Sequence, residues 1–347
     1  MQVVILAGGS VPQLHPWTPA APKPLLPFFD RPVIEHAVRL LAAHDIRDII
    51  VATSYHANQI TQHLGDGSRW KVNISYSIED TPAGTAGAIR RLQSRISDTF
   101  VVMSSDIVTD FDLSAAVSAH KASGALATIL VHEIDDPSRF GVISWDENNH
   151  VTRFLEKPRS SELFSNAVSA GIYILEPEVI SSIAPDRPQD FARHTFPALL
   201  RNQDHINTCH LPGYWTDVGD LLQYRNAHFD ALQGKLRIDL PAVYAGEGIW
   251  VGDGVDLHPS VQLSAPVFIG SGASIGPDVV IGAHTVIGAH TQIHAGSTLS
   301  HCVIGCGATV HIGSRIENTV VASEPIIARP RENEVTSADL VFHSPIT

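Results

Sequence analysis

A short apolar run ends in two glycines, Val3-Val4-Ile5-Leu6-Ala7-Gly8-Gly9, and fourteen residues past Gly9 one lysine stands between prolines, Pro22-Lys23-Pro24. Glycine lets the backbone approach a ligand closely, and open amides there form a nest for an anion. The flanking prolines stiffen the chain around Lys23 and hold one cation in place. These are parts from which a phosphate site can be built. Each has a plainer reading: two glycines after a strand make an ordinary turn, and a lysine in a proline loop can simply be solvated. A second glycine-rich run, Glu79-Asp80-Thr81-Pro82-Ala83-Gly84-Thr85-Ala86-Gly87-Ala88, again permits close ligand approach, with Thr85 able to cap a helix. Asp106 and Asp217 add carboxylates, although a lone aspartate is commonly a cap or a turn residue.

The elements that must position these groups alternate. Val3 to Leu6 reads as a buried parallel strand feeding the glycine loop. Pro32 suits the first turn of a helix in which Ile34, Val38 and Leu41 follow at helical spacing, ending near His44. Asp48 to Ala52 is the next strand, Ile60 to Leu64 lies in a short helix, and Asn73 to Ile78 is a third strand. Thr85 to Leu92 reads as a helix and Phe100 to Met103 as a fourth strand. This βαβ order predicts an α/β, Rossmann-like domain with a mostly parallel sheet. Ligands of such folds bind beyond the carboxyl ends of the strands, where Gly8, Gly84 and Asp106 all fall.

Past a joint at Gln233-Gly234-Lys235 the period changes. Val251, Leu257, Leu263, Ile269, Ile275, Ile281, Ile287, Ile293 and Leu299 recur every six residues, and Gly270, Gly276, Gly282 and Gly288 directly follow four of them. A six-residue apolar repeat with small residues at the corners predicts a left-handed parallel β-helix of about three coils. Ile304, Val310 and Ile316 continue it after a one-residue phase shift. His284, His290, His294, His301 and His311 crowd this stretch. A histidine base would suit acyl transfer, but most are read as lying beside the apolar position, where the repeat turns polar side chains outward. The open ends of the coils predict a homo-oligomer. From Pro325 to Thr347 no repeat remains.

The chain has 347 residues, 44% of them hydrophobic and 17% charged, enough to bury two cores. A formal net charge of −13 argues against nucleic acid or an anionic membrane as the main partner. Three cysteines, Cys209, Cys302 and Cys306, are too few for a disulfide framework and suit a reducing compartment. Cys302 and Cys306 lack the second pair that a zinc set needs. No basic leader precedes the first strand and no apolar run approaches the ~18 residues of a membrane span. A soluble, cytoplasmic chain is expected.

Leu6-Ala7-Gly8-Gly9 paired with Pro22-Lys23-Pro24-Leu25 resembles the nucleotide-binding loop of the sugar-1-phosphate nucleotidyltransferases. Glu79 to Ala88 resembles that family's second motif, and its Gly84-Thr85-Ala86-Gly87-Ala88 run is typical of the mannose-1-phosphate guanylyltransferase branch. Ser104-Ser105-Asp106 stands where the family reads Gly-Asp. Gly213-Tyr214-Trp215-Thr216-Asp217-Val218-Gly219 and Glu156-Lys157-Pro158 are similar to two further motifs. The resemblance spans residues 1 to about 321. It implies a nucleotidyltransferase domain at 1–233, a linker at 234–245, a left-handed β-helix at 246–322 and a tail at 323–347. It implies attack of a sugar-1-phosphate on a nucleoside triphosphate, with Lys23, Asp106 and Asp217 catalytic and both aspartates holding Mg²⁺. Leu6, Ala7, Gly8, Gly9, Glu79, Gly84 and Thr85 would bind the nucleotide. Gly141, Glu156, Lys157, Ser169 and Gly171 would bind the sugar phosphate, with Ser169 replacing the usual asparagine.

Val11, Pro12 and Gln13 stand where the family has Gly, Thr and Arg. Proline removes an amide from the nest, valine resists positive φ, and glutamine carries no charge. Losing one such donor to the transition state costs about 3–4 kcal/mol. Arg31 or Arg90 are alternative cations. Two readings follow: an active enzyme, or a silent nucleotide-sugar-binding subunit or scaffold that assembles with a paralogous catalytic subunit.

Overall fold

The computed structural model describes residues 1–8, 22–54, 56–185 and 187–322. Gly9, Val11, Pro12 and Gln13 and the tail 323–347 lie outside the described residues. In chain order come β1 (Gln2–Leu6), the two-residue strands β2 (Pro27–Phe28) and β3 (Arg31–Pro32), α1 (Val33–Ala43), β4 (Asp48–Thr53), α2 (Ala57–Leu64) and β5 (Asn73–Ile78). Then follow α3 (Gly84–Arg90), β6 (Phe100–Ser104), β7 (Ile107–Thr109), α4 (Leu113–Ser123), β8 (Ala127–Glu133), β9 (Gly141–Trp145), β10 (Val151–Glu156) and β11 (Ala167–Leu175). Next are α5 (Glu178–Ser182), α6 (Phe196–Arg201), β12 (Ile206–His210), β13 (Trp215–Asp217) and α7 (Leu221–Leu232). Short strands from Val243–Gly246 to Val320–Val321 complete the described chain. By contacts these elements form two compact units, whose described parts are residues 1–8 with 37–215, and 22–36 with 216–322.

The first unit holds a sheet of order β10-β9-β11-β6-β1-β4-β5, with β8 pairing both β11 and β12. Its centre, β6-β1-β4-β5, is parallel, as the βαβ order predicts. Val3, Val4 and Ile5 of β1 have no exposed surface, because helices cover both faces of such a sheet. Beyond β6 the pairing of β11 with β6, β8 and β9, and of β9 with β10, is antiparallel. Short connections such as that between β9 and β10 allow nothing else. Pro32 is not in the first turn of α1, as its ring suggested. It pairs with Pro27 in a small hairpin, and α1 starts one residue later.

The second unit contains a parallel β-helix. Val251 lies opposite Ile269 and Ile269 opposite Ile287, a coil of three hexapeptides. Ile287 then faces Ile304, one residue short of that spacing. The missing residue falls at the corner of Ser300 to Cys302, where His301 takes φ 49°. The apolar positions fill the bore: Ile269, Ile281, Ile287, Leu299 and Ile304 are fully buried. The histidines behave differently from the outward display read from the sequence. His294 and His311 do follow apolar positions, but His284, His290 and His301 occupy corners with φ of 55°, 57° and 49°. A corner needs a left-handed residue, and polar side chains tolerate it better than β-branched ones. His284 and His301 pack on each other and on Phe229 of α7, so neither simply points to water. Burial pushes the Cys302 thiol up to about 12 and the Cys306 thiol up to about 11, which makes both inert at neutral pH.

Candidate active site

In the first unit the glycine loop leaves β1 zipped to its neighbours. The Ala7 amide donates to the Ala52 carbonyl at 2.7 Å, and the Ser105 amide donates to the Leu6 carbonyl at 3.1 Å. Gly8 accepts from the Ser54 hydroxyl at 3.3 Å, and a Cβ there would come within 3.1 Å of that oxygen. Asp106 follows Ser105 and is half-buried at the carboxyl end of β6. Gly8 and Asp106 thus leave adjacent strands at the same edge, where parallel α/β sheets bind ligands.

The second motif is braced from within. Gly84 has φ 79°, and a Cβ on it would meet the Gln189 carbonyl oxygen at 2.3 Å. That oxygen accepts from the amides of Ala86 and Gly87 at 3.0 and 3.1 Å. Gly84 therefore makes room for the Gln189 backbone. Thr85 does not cap α3: its hydroxyl donates to the Asp190 carboxylate at 2.9 Å and accepts from the Phe191 amide at 3.0 Å. Glu79 is buried, paired with Arg91 at 3.3 Å, and accepts from the Ala83 amide at 3.4 Å. Gln189 and Asp190 were not singled out from sequence, although an aspartate before Phe191-Ala192-Arg193 is a readable helix-start signal. Asp190 accepts from the amides of Ala192 and Arg193.

The sugar-phosphate candidates gather where the start of β9 and the end of β10 meet the interior of β11. A Cβ on Gly141 would come within 3.0 Å of Glu156 Oε2 and 2.7 Å of the Phe154 ring, so only glycine fits beside that carboxylate. Burial raises the Glu156 pKa, Lys157 and Arg193 oppose the shift, and Asp190 reinforces it. Lys157 itself turns out of the strand with φ 48°, its amide donating to the Phe140 carbonyl at 2.9 Å. In β11 the register slips between Ser169 and Tyr173. Within the bulge Gly171 takes φ 67°, its amide donates to Ser169 Oγ at 3.3 Å, and the Ser169 hydroxyl donates to the buried Tyr173 hydroxyl at 3.3 Å. Bulges re-aim side chains beside active sites. The Trp215 indole N–H fixes this one, donating to the Ala170 carbonyl at 2.8 Å. Gly213 lets the Tyr214 amide reach Asp110 at 2.6 Å.

The second unit holds Lys23 and Asp217. Lys23 opens a one-turn 3₁₀ segment, Lys23–Leu25, and is only 6% exposed. The Leu25 amide donates to the Pro22 carbonyl at 2.8 Å, so both prolines shape the turn. Asp217 ends β13, and a Cβ on Gly219 would lie 2.6 Å from its Oδ2. Gly219 thereby keeps space open beside the carboxylate. Hard oxygen donors of this kind fit a divalent cation that retains water. Among the described residues no group of three His, Cys, Asp or Glu gathers that could hold a metal ion by itself. The remaining positions around an ion would fall to water and substrate oxygens. The alternative cations are engaged elsewhere: Arg31 donates to the Asp239 carbonyl and carboxylate at 2.7 and 3.1 Å, and Arg90 to the Ile180 carbonyl at 3.2 Å. No described helix is long and apolar enough to cross a membrane.

Residues 2–234 match the family model described as nucleotidyl transferase, and residues 266–301 match the bacterial transferase hexapeptide model of six repeats. A mannose-1-phosphate guanyltransferase of Schizosaccharomyces pombe is 36% identical over 230 residues, covering 65% of this chain and 62% of that protein's length. A UTP–glucose-1-phosphate uridylyltransferase of Synechocystis is 32% identical over 265 residues, covering 72% and 68%. A Bacillus anthracis structure assigned as a glucose-1-phosphate thymidylyltransferase superposes with a TM-score of 0.62 at 28% identity, covering 69% of this chain and 97% of that one. The hexapeptide match agrees with a left-handed coil. With two thirds of its length matched and the glycine, aspartate and Glu-Lys motifs in place at strand ends, this chain belongs to the nucleotidyl transferase family.

Proposed function

We propose that the protein is a sugar-1-phosphate nucleotidyltransferase, with a nucleoside triphosphate and a sugar-1-phosphate as substrates and a GDP-mannose-like nucleotide sugar as product. The observation that carries this reading is the grouping of Gly141, Glu156, Lys157 and the Ser169–Tyr173 bulge: a half-buried carboxylate, suited to sugar hydroxyls, next in the chain to an exposed lysine suited to phosphate. A sugar-phosphate oxygen forms a bond to the α-phosphorus, the bond from that phosphorus to the bridging oxygen breaks, and pyrophosphate leaves. The protein's task is to hold the reactants in line and offset negative charge. Glu156 accepts hydrogen bonds from the sugar, Lys157 pairs with its phosphate, and Gly8 lets the backbone close on the nucleotide. Lys23 supplies the positive charge for the triphosphate. Asp106 and Asp217 would hold Mg²⁺, which when bound neutralises phosphate charge. The protein acts in the cytoplasm as a homo-oligomer ordered by its β-helix.

Val11-Pro12-Gln13 favours one second reading, a subunit that binds a nucleotide sugar without making it. Pyrophosphate release with Mg²⁺ across a panel of nucleoside triphosphates and sugar-1-phosphates separates the two. Turnover on one pair, lost in Asp106→Asn, is expected. Tight binding of a nucleotide sugar with no turnover on any pair establishes the second reading.

A further inference from the structure

Lys23 belongs to the same compact unit as the β-helix, although the strand before its loop belongs to the other. The link is the hairpin Pro27–Pro32, whose two-residue turn is Phe29-Asp30. Phe29 adopts φ 55°. For a bulky aromatic that is a strained backbone, which persists only where its surroundings over-determine it.

Those surroundings come from the C-terminal half. The Asp30 carboxylate accepts from the Ser271 amide at 2.8 Å and the Ala289 amide at 2.9 Å, the same corner of two successive coils. Gly270 clears the way, since a Cβ there would lie 2.5 Å from Asp30 Oδ1. The Phe29 ring packs on Phe268 with centroids 4.8 Å apart. Its amide donates to His228 Nε2 at 3.0 Å, and the Tyr224 hydroxyl donates to the Pro27 carbonyl. On the other side, the Leu26 amide donates to the Lys23 carbonyl and the Val33 amide to the Leu26 carbonyl. A continuous set of bonds therefore runs from the β-helix corner back to Lys23.

We propose that Asp30 is a positioning residue, which fastens the hairpin to the β-helix and so sets the place of Lys23 in the reaction. The inference rests on the nucleotidyltransferase reading for its catalytic consequence and on the hairpin geometry for its structural one. A carboxylate suits the task because two amides of consecutive coils, both donating to the hairpin turn, need an acceptor-only group between them. Asparagine keeps the shape but turns an NH₂ towards one of those amides.

The test combines amide hydrogen exchange with kinetics on the full-length chain. Asp30→Asn is expected to speed exchange at Leu25, Leu26 and Phe29 by about tenfold or more while the β-helix strands keep their protection. It is expected to lower kcat/KM by about ten- to a hundredfold, the usual effect of misplacing a group by about an ångström. That loss should vanish in a Lys23→Met background, where no ammonium remains to be misplaced. Unchanged exchange at Leu25 to Phe29 overturns the anchor. An equal kinetic loss with and without Lys23 overturns the positioning role and leaves Asp30 a fold-stabilising residue. Because exchange is read without substrate, an inactive wild type overturns the enzyme reading alone.

Discussion

At the scale of single residues, the motif side chains split between those that can face substrate and those that hold the first group in place. Glu156, Lys157 and Gly8 carry chemistry a ligand can use, whereas Thr85, Trp215 and Gly213 spend their polar groups or their missing Cβ on the protein itself. Sequence shows that such residues belong to one pattern. It does not show which way each points, because that depends on partners such as Gln189, Asp190 and Ala170, far along the chain. Trp215→Phe keeps an aromatic ring, though a smaller one, and deletes the donor to Ala170, leaving a buried carbonyl short of a partner. It is expected to cost about 1–3 kcal/mol in urea unfolding and to weaken sugar-1-phosphate binding, since the lost bond adjoins Gly171. Gly171→Ala is expected to be at least as harmful. Its φ of 67° disfavours any side chain, and the new methyl would sit 2.9 Å from Ile107.

At the scale of elements, the hairpin and α7 are coupled by a histidine that must stay neutral. His228 Nε2 accepts from the Phe29 amide and Nδ1 donates to the Tyr224 carbonyl at 2.8 Å, so a second ring proton would face a donor. Burial, reinforced by His36, holds His228 down to about 3 from a usual 6.5. The sign follows. Above pH 6.5 neither state binds the proton, and below it the unfolded chain does while the folded one does not. Stability is therefore lost as pH falls from 6.5 towards 3, by up to about 1.4 kcal/mol per pH unit from this group. Urea midpoints between pH 7 and 5 are expected to fall more steeply in wild type than in His228→Gln. The hexapeptide strands were legible because a period of six is written in every rung. The two-residue strands of the hairpin were not, because Pro27 to Pro32 carries no periodicity and is held by contacts some two hundred residues away.

At the scale of the whole molecule, the order of the chain and the order of its compact units differ. The segment 22–36, early in sequence, belongs with residues 216–322. A chain ended at Gly246 would keep the nucleotidyltransferase motifs yet lose Phe268, Ser271 and Ala289, exposing Phe29 and leaving the Asp30 carboxylate without its two amide donors. It is expected to aggregate or to lose cooperative unfolding, checked by size-exclusion chromatography and calorimetry. The sequence alone determined the family, the α/β order and the coil repeat, since each is a local pattern of residue type and spacing whose physical cause lies within a few residues. Tertiary structure alone decided which glycines make room for backbone rather than ligand, where the corner histidines pack, and that Lys23 is tethered to the β-helix. Those outcomes depend on side chains brought together by folding across long stretches of chain, and no local spacing encodes such a meeting.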